Sequence, residues 1–515
     1  MNEGLTKKRR QPTGMFGFSV VWVGQLVSLL GSAMTTFAIS IWAWQETGQA
    51  TALALAGFFG FGPTVLLSPI AGVIVDRYNR KLVMMLSDLA AGLSTIALLL
   101  LYTSGRLEIW HIYVANAFAG AFAAFQFPAY SAAVTTMLEK KNYARASGML
   151  SLAESASGIF APLAAGALIG LIGIGGIMAI DIATFIFAIG TLLVVFIPEP
   201  EATTEGLASR GSLLNESVFG FKYIFQRPGL FGLLLIFFMI NLIATFSFTL
   251  SSPMILARTQ NNELALGTVL SIGSIGGLLG GLLLSAWGGP RRKIDGVLVG
   301  MILISASLGI IGLGQTIVIW IAGTFAVMFI LPILNGSSQA IWQAKVAPDV
   351  QGRVFATRRL IAQITAPVAM LLAGPLADQI FEPAFATGGA AAGTYWAGLV
   401  GTGSGAGMGM MFVISGVLGM LVGLAGYAVP AVRYVEIQLP DHDLAAGKAP
   451  APPSAERKLR EQQMLNLLVW RERLLKSPDS PARQAGLHAV SQGLRDLGRA
   501  DGNSPTPKVV EESQT

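Results

Sequence analysis

Gly72-Val-Ile-Val-Asp76-Arg77-Tyr-Asn-Arg80-Lys81 separates two long apolar runs, Ala52 to Val75 and Leu82 to Leu101. A membrane span needs roughly 20 mostly apolar residues, so two such runs closed by a few charged residues read as two spans joined by a tight turn. The charges in the turn have separate roles. An Asp at a helix end pairs with the fork of an Arg, while Arg and Lys beside a span are held on the cytoplasmic side by the positive-inside bias. Plain basic punctuation after a span accounts for Arg80 and Lys81 but not for Gly72 and Asp76 at their spacing.

Composition extends this reading to the whole chain. Of 515 residues, 53% are hydrophobic and 12% charged, against roughly 25% charged in soluble domains. Mean hydropathy is +0.63. The apolar runs are continuous rather than alternating, which excludes a barrel and leaves an all-α polytopic membrane protein. Glycine is abundant, at 61 residues, as close-packed membrane helices favour. The chain has no cysteine, which excludes disulfides and thiol chemistry. His111, His442 and His488 are too scattered for a metal site. No phosphate loop or nucleophile elbow occurs, so neither an enzyme nor a cofactor is expected. The net charge of +6 lies beside spans; it serves orientation and contact with anionic membrane lipid rather than nucleic acid. Lys7-Lys8-Arg9-Arg10 precede an apolar stretch of full span length with no small-residue cleavage pattern, so no cleavable signal is expected.

Twelve spans are expected, at about 18–42, 52–75, 82–101, 110–133, 146–171, 174–197, 229–255, 264–287, 294–314, 317–341, 354–379 and 407–430. Alternating the loops from a cytoplasmic start places Arg77, Arg80, Lys81, Lys140, Lys141, Arg145, Arg210, Lys222, Arg227, Arg291, Arg292, Lys293, Lys345, Arg353, Arg358 and Arg359 inside. Only Arg106 and Arg258 fall outside. Both termini are therefore expected in the cytoplasm, in a bacterial inner membrane. The domains are a short N-terminus (1–15), a first bundle (16–197), a linker (198–228), a second bundle (229–433) and a cytoplasmic tail (434–515). The linker carries apolar residues at helical spacing from Leu213 to Phe225 and is expected to lie on the inner membrane face. The outer loop at 381–406, rich in Gly and Ala, is expected to be mobile. In the tail, Ala449-Pro450-Ala-Pro-Pro-Ser454 reads as a linker. Glu456 to Lys476 reads as a charged helix, solvated or skimming the membrane, with binding to a partner or to itself as the alternative, and the chain after Ser477 as disordered.

The turn from Gly72 to Lys81 resembles the loop between helices two and three of the major facilitator superfamily, where it acts as a conformational latch through Gly72, Asp76, Arg77, Arg80 and Lys81. A second resemblance lies in span five. Gly148, Ser157, Ala161, Pro162, Ala165 and Gly166 match the antiporter signature of the drug-exporting members in spacing and small size, with glycine at some positions only. Small residues allow close helix packing and the proline weakens the helix locally. One departure concerns span four, where proton antiporters often carry an Arg in an R-x-x-x-G context. Gly120 is present here, but Asn116 stands four residues before it. Phe127-Pro128-Ala129, Ile180-Asp181, Tyr223-Ile-Phe-Gln-Arg-Pro228 and Gly352-Arg353-Val354 resemble instead the macrolide-efflux and enterobactin-exporter branch. The two halves echo each other, as parallel repeats in this family do. Arg80-Lys81 recurs as Arg292-Lys293 and Ala161-Pro162 as Ala366-Pro367, although Gly288 replaces the counterpart of Asp76.

Intramembrane acids cost on the order of 2.5–3.5 kcal/mol each at mid-membrane and so mark function. Asp181 and Glu154 are the proton-coupling candidates, with polar packing as the alternative. Asp88 is expected to join an ion-pair network with the Asp76–Arg80 loop, and Asp378 to be solvated. Gln25, Asn116, Gln126, Asn241, Asn335 and Gln339 are candidates for a substrate cavity, with Met34, Phe37, Phe238, Met239 and Phe246 as its apolar wall.

The resemblance implies two pseudo-symmetric six-helix bundles working as a monomeric secondary transporter. It implies export of an amphipathic or lipophilic small molecule (a drug, siderophore or secondary metabolite) by proton antiport with alternating access. Import of a small solute on the same fold, and a non-transporting receptor or scaffold, are the alternatives.

Overall fold

A computed structural model describes residues 14–139, 142–198, 221–346, 350–439 and 480–499, with scattered residues between 463 and 475. The first bundle is built from α1 (Gly14–Thr47), α2 (Ala50–Arg77), α3 (Arg80–Thr103), α4 (Ile109–Met137) and α5 (Tyr143–Val194). The second contains α6 (Pro228–Arg258), α7 (Glu263–Trp287), α8 (Lys293–Leu313), α9 (Ile317–Lys345) and α10 (Gln351–Leu376). It continues through the short helices α11 (Glu382–Phe385) and α12 (Tyr395–Val400) into α13 (Ala406–Ala428). Two further turns of helix, α14 (Pro430–Arg433) and α15 (Val435–Gln438), close this unit. The described residues contain no strand, as expected where bilayer lipid leaves the backbone no partner but itself.

Eleven helices among the described residues are long and apolar enough to cross a membrane. One of them holds two segments. At 52 residues, α5 would run about 78 Å at 1.5 Å per residue, far beyond a hydrocarbon core of about 30 Å. It breaks at Gly173, where φ is 68° and ψ 177°, in the gap that the sequence reading leaves between its fifth and sixth spans. Elsewhere the connections are tight. Asn79 accepts a bond from the Leu82 amide and starts α3, and Asn262 does the same for α7 through the Ala265 amide. Such caps satisfy amides that a helix start leaves bare.

Within the first bundle α1 packs along α5, and α4 along both α2 and α3; in the second, α8 packs on α13 and α9, α7 on α9, and α6 on α10. Missing side chains let these helices meet backbone to backbone: Gly120 faces the Gly60 carbonyl and Gly280 the Phe329 carbonyl. The bundles meet along two seams, α5 with α7 and α2 with α10. Large apolar side chains such as Leu66 and Leu171 point outward, 77% and 80% exposed, as a lipid-facing surface requires.

Gly288 explains the degraded repeat. It ends α7 with φ at 78°, a left-handed conformation that suits glycine and disfavours aspartate. The second bundle therefore has no acid at the position equivalent to Asp76.

Two expectations change here. The segment at 381–406 is built rather than loose. The Arg258 guanidinium donates to the carbonyls of Gly405, Gly314 and Val400, and Glu382 accepts from the Gly405 and Met408 amides. A buried charge surrounded by carbonyls orders a loop as firmly as an apolar core does. In the tail, Pro481–Arg499 forms a helix, α16, where the sequence reading expects disorder; Leu487, Val490 and Leu494 recur at helical spacing within it. The tail is a separate unit from 442 onward. The amphipathic linker segment at 199–220, Lys140, Lys141 and most of the helix proposed at 456–476 lie outside the described residues.

Candidate functional site

The Gly72–Lys81 turn lies at the end of the molecule where the short loops are basic, called here the basic end. Helix α2 runs through Arg77 and α3 begins at Arg80. The side chains of Asp76 and Arg77 lie outside the described residues. Arg80 Nη1 donates to the Ala132 carbonyl of α4 at 2.7 Å. Lys81 Nζ donates to the carbonyls of Leu193 and Val195, at 3.2 and 2.8 Å, where α5 ends. A cation on the bare carbonyls of a helix C-terminus is favourable on both hydrogen-bond and dipole grounds. The loop thus ties α3 to α4 and to the end of α5.

The second bundle closes its basic end differently. Glu436, on α15, accepts from the Lys293 and Ile294 amides at 3.1 and 2.9 Å, capping α8. Arg292 donates to the Arg433 carbonyl at 3.1 Å, and Lys345 to the carbonyls of Glu436 and Leu439 at 2.6 Å each. Residues 434–439, which the sequence reading counts as soluble tail, are therefore part of this bundle. A single Glu beyond the last apolar run carries no local signal that could have revealed this.

The antiporter-like residues divide between two places. Gly148 is exposed with nothing within 4 Å of where a side chain would begin. Of the others, Ser157 packs on α1 of its own bundle, and Pro162 and Gly166 stand at the α5–α7 seam. Ser157 donates to the Leu29 carbonyl, and Ala161 and Ala165 are fully buried. A Cβ on Gly267 would stand 2.5 Å from the Pro162 carbonyl oxygen, and one on Gly166 would stand 2.8 Å from that of Glu263. The small residues are what lets the bundles touch.

This seam runs to the end opposite the basic loops, the sealed end. There Asp378 accepts from the Ala50 and Thr51 amides at 3.0 and 2.8 Å. Trp44 Nε1 donates to Asn261 and Gln45 to Glu263, both at 2.8 Å. Asp378 is therefore a cap on a helix of the other bundle and not a solvated acid.

The remaining candidates sort by partner. Gln25 Nε2 donates to Asp88 Oδ2 at 2.8 Å; Gln126 Nε2 donates to Asp88 Oδ1 at 2.9 Å and to Gln25 Oε1 at 3.0 Å. Asp88 thus belongs to a polar cluster of α1, α3 and α4, while Arg80 bonds to the α4 backbone. Among the described residues, the partners of Asp88 are neutral amides, where the sequence reading expects an ion pair with the Asp76–Arg80 loop. Asp181, 3% exposed, accepts from Ser32 at 3.0 Å and Thr95 at 2.8 Å. Glu154 is exposed. Asn116 donates to the Ala56 carbonyl of α2, and Asn241 to Phe237 within its own helix, so both amides serve the backbone. Asn335 is exposed. Met34 and Phe37 are buried in the main apolar core.

Gln339 accepts from Arg358 Nη1 at 2.8 Å, and Arg358 Nη2 reaches Ser338 Oγ at 3.2 Å. Arg358 also lies 5.3 Å from the Trp342 ring centroid and 5.8 Å from that of Phe237, and Arg359 lies 5.8 Å from that of Phe127 across the bundles. Both arginines sit in the second turn of α10, not in the loop where the charge count places them. Hydropathy alone assigns an Arg near a span to the nearest loop; a guanidinium held by an amide and ring faces can stay within the helix.

Comparison with known proteins follows from this geometry. Macrolide efflux protein A of Streptococcus pyogenes is 28% identical over 380 residues, covering 70% of this chain and 90% of that protein. Multidrug efflux pump Tap of Mycolicibacterium fortuitum is 27% identical over 390 residues, covering 73% and 91%. Among solved structures, an inward-facing, unoccupied bacterial homologue of the human lysosomal transporter Spinster aligns with a TM-score of 0.62 at 16% identity, covering 84% of this chain and 99% of that one. A family model described as Major Facilitator Superfamily matches residues 21–370, and with twin helical bundles meeting along glycine-rich seams, the chain belongs to that superfamily.

Proposed function

We propose that this protein exports an amphipathic or lipophilic small molecule from the cytoplasm by alternating access, exchanging it for protons. The observation that carries the reading is the α5–α7 seam. Two residues of the antiporter-like signature, Pro162 and Gly166, stand where the bundles touch, against Gly267 and Glu263. Closure there, with the basic end in the cytoplasm, corresponds to a cavity loaded from inside. Two bundles, 16–197 and 229–439, would rock about the seams, with the Gly72–Lys81 latch governing the cytoplasmic side. The similarity to macrolide and multidrug efflux proteins supports drug-like or secondary-metabolite substrates. Asp181 is the favoured proton-coupling acid and Glu154 the second candidate. The protein works as a monomer in the bacterial inner membrane with both termini in the cytoplasm, and the charged helix at 456–476 is the segment that would bind a partner.

The test is a substrate screen in an efflux-deficient bacterial strain. Expression should lower the accumulation of at least one lipophilic compound, and a protonophore should abolish the effect. Raised accumulation on expression would indicate import. No change for any compound in cells that make the protein would remove the export reading.

A further inference from the structure

The two buried carboxylates stand in one register. Gln25 and Ser32 on α1 are seven residues apart, and so are Asp88 and Thr95 on α3. Helices α1 and α3 both run from the basic to the sealed end, so these pairs form two polar layers about 10.5 Å apart at 1.5 Å per residue. The first layer is Gln25, Asp88 and Gln126; the second is Ser32, Thr95 and Asp181. Asp88 is 8% exposed and Asp181 3%. Among the described residues, the bonds to both carboxylates come from neutral amides and hydroxyls, with no basic partner. Among the described residues, helix α1 brings Gln25, Ser28, Ser32 and Thr35 to this seam, α4 brings Gln126 and Tyr130, and the second segment of α5 brings Asp181 and Thr184, with no cation among them. The cations at the start of α3 point elsewhere, Arg80 to the Ala132 carbonyl and Lys81 to those of Leu193 and Val195.

Each layer also contains a buried polar atom with no partner. In the first, Gln126 divides its amide nitrogen between Asp88 and Gln25, which leaves Gln126 Oε1 without a donor. Tyr130, one turn further along α4, has an unbonded hydroxyl. In the second, Thr35 is 7% exposed and its hydroxyl stands beside Asp181, short of a well-formed bond. Unsatisfied buried atoms are uncommon and each calls for a cause. An O–H on Asp88 would remove the uncompensated charge and supply the donor that Gln126 Oε1 lacks, after rotation of one amide. Around Asp181 the hydroxyls can donate to the ionised acid or accept from the neutral one. Both layers accommodate both charge states by turning neutral groups, without moving a helix.

We infer that the α1–α3 seam is a proton-binding path with two stations, Asp88 toward the basic end and Asp181 toward the sealed end. This rests on the proton-exchange reading and adds Asp88 to it. A proton taken from water at one face binds a carboxylate oxygen of one station and is released to water at the other face only after the bundles have rocked, so its passage stays tied to that of the substrate.

The test uses full-length protein in lipid, compared by infrared difference spectra between neutral and acidic pH in potassium buffer. Wild type should gain protonated-carboxyl C=O absorption on acidification. Asp88→Asn and Asp181→Asn should each lose one component, and Asp88→Glu should shift its component without losing it, which also covers failure of the Asn variant to fold. Spectra unchanged in both Asn variants overturn the proposal, as do bands that answer to added sodium at constant pH. This readout needs no substrate, so it is independent of whether export itself is found. In vesicles, both Asn variants should keep substrate exchange and lose uphill export driven by a pH gradient; full pH-driven export in both overturns the role in coupling.

Discussion

Asp378 caps the helix that begins beside Thr51: its carboxylate, at the end of α10 in the second bundle, accepts from the first amides of α2 in the first bundle. Gln49, the local residue at that position, makes no capping bond with its side chain. The cap is thus supplied in trans and exists only while the sealed end is shut. Loss of a capping side chain costs about 1 kcal/mol, so Asp378→Ala should raise the open population roughly fivefold. Because the chain has no cysteine, a thiol at Ala54, which packs against Gly374 in this seam, reports opening alone. Its labelling from outside should accelerate in the Asp378→Ala background; an unchanged rate removes Asp378 from the gate.

The antiporter-like glycines should separate by position. Gly166→Ala meets a backbone carbonyl at 2.8 Å, and overpacking of this kind costs about 1–3 kcal/mol. Export should fall severely. Gly148→Ala has open space around it and should export normally at similar abundance. Equal defects in both would mean that the motif does not act through the seam.

At the basic end, Asp76→Asn and Arg80→Ala should slow transport severely while insertion and abundance stay near normal. Arg80 holds the α4 backbone at Ala132, and charged hydrogen bonds of this kind are strong ones. Normal flux in either variant excludes the loop from conformational cycling.

Two truncations should differ sharply. Deleting 442–515 removes the separate tail unit and should leave most flux intact. Deleting 435–515 also removes Glu436, together with both carbonyls that Lys345 binds, and should abolish function. If the shorter deletion alone abolishes function, the tail is the working part and the scaffold reading gains.

Single cysteines at residues 4, 206 and 450 should resist an impermeant label in intact cells, and one at residue 390 should react. Labelling at 206 would invert the assignment of the basic end to the cytoplasm.

The fold was legible where a bilayer imposes it. Continuous apolar runs give the spans, and even the break at Gly173 falls between two of them, because lipid forbids irregular backbone except at such ends. The small-residue face of α5 was legible too, since size at a fixed spacing is a sequence property. The partners of the acids were not. Asp88 meets Gln25 and Gln126 across 63 and 38 residues, and Asp378 meets Thr51 across 327; no periodicity encodes such meetings. Arg258 binds carbonyls, which every residue carries, so nothing nearby in the sequence marks its role in ordering 381–406.

The unlike closures of the two basic ends bear on biosynthesis. The first bundle draws Arg80 and Lys81 from its own second loop, so its tie to α4 can form once that helix has been made. The second bundle relies on Glu436, which emerges from the ribosome after α13. Until then the start of α8 has no cap, and Lys345 lacks the acceptors it uses in the finished structure. Chains fold from the N-terminus as they are synthesised, so the second bundle completes only with the residues just past its last apolar helix. A chain that ends before residue 436 therefore has every tie of its first bundle and lacks those that close the basic end of its second.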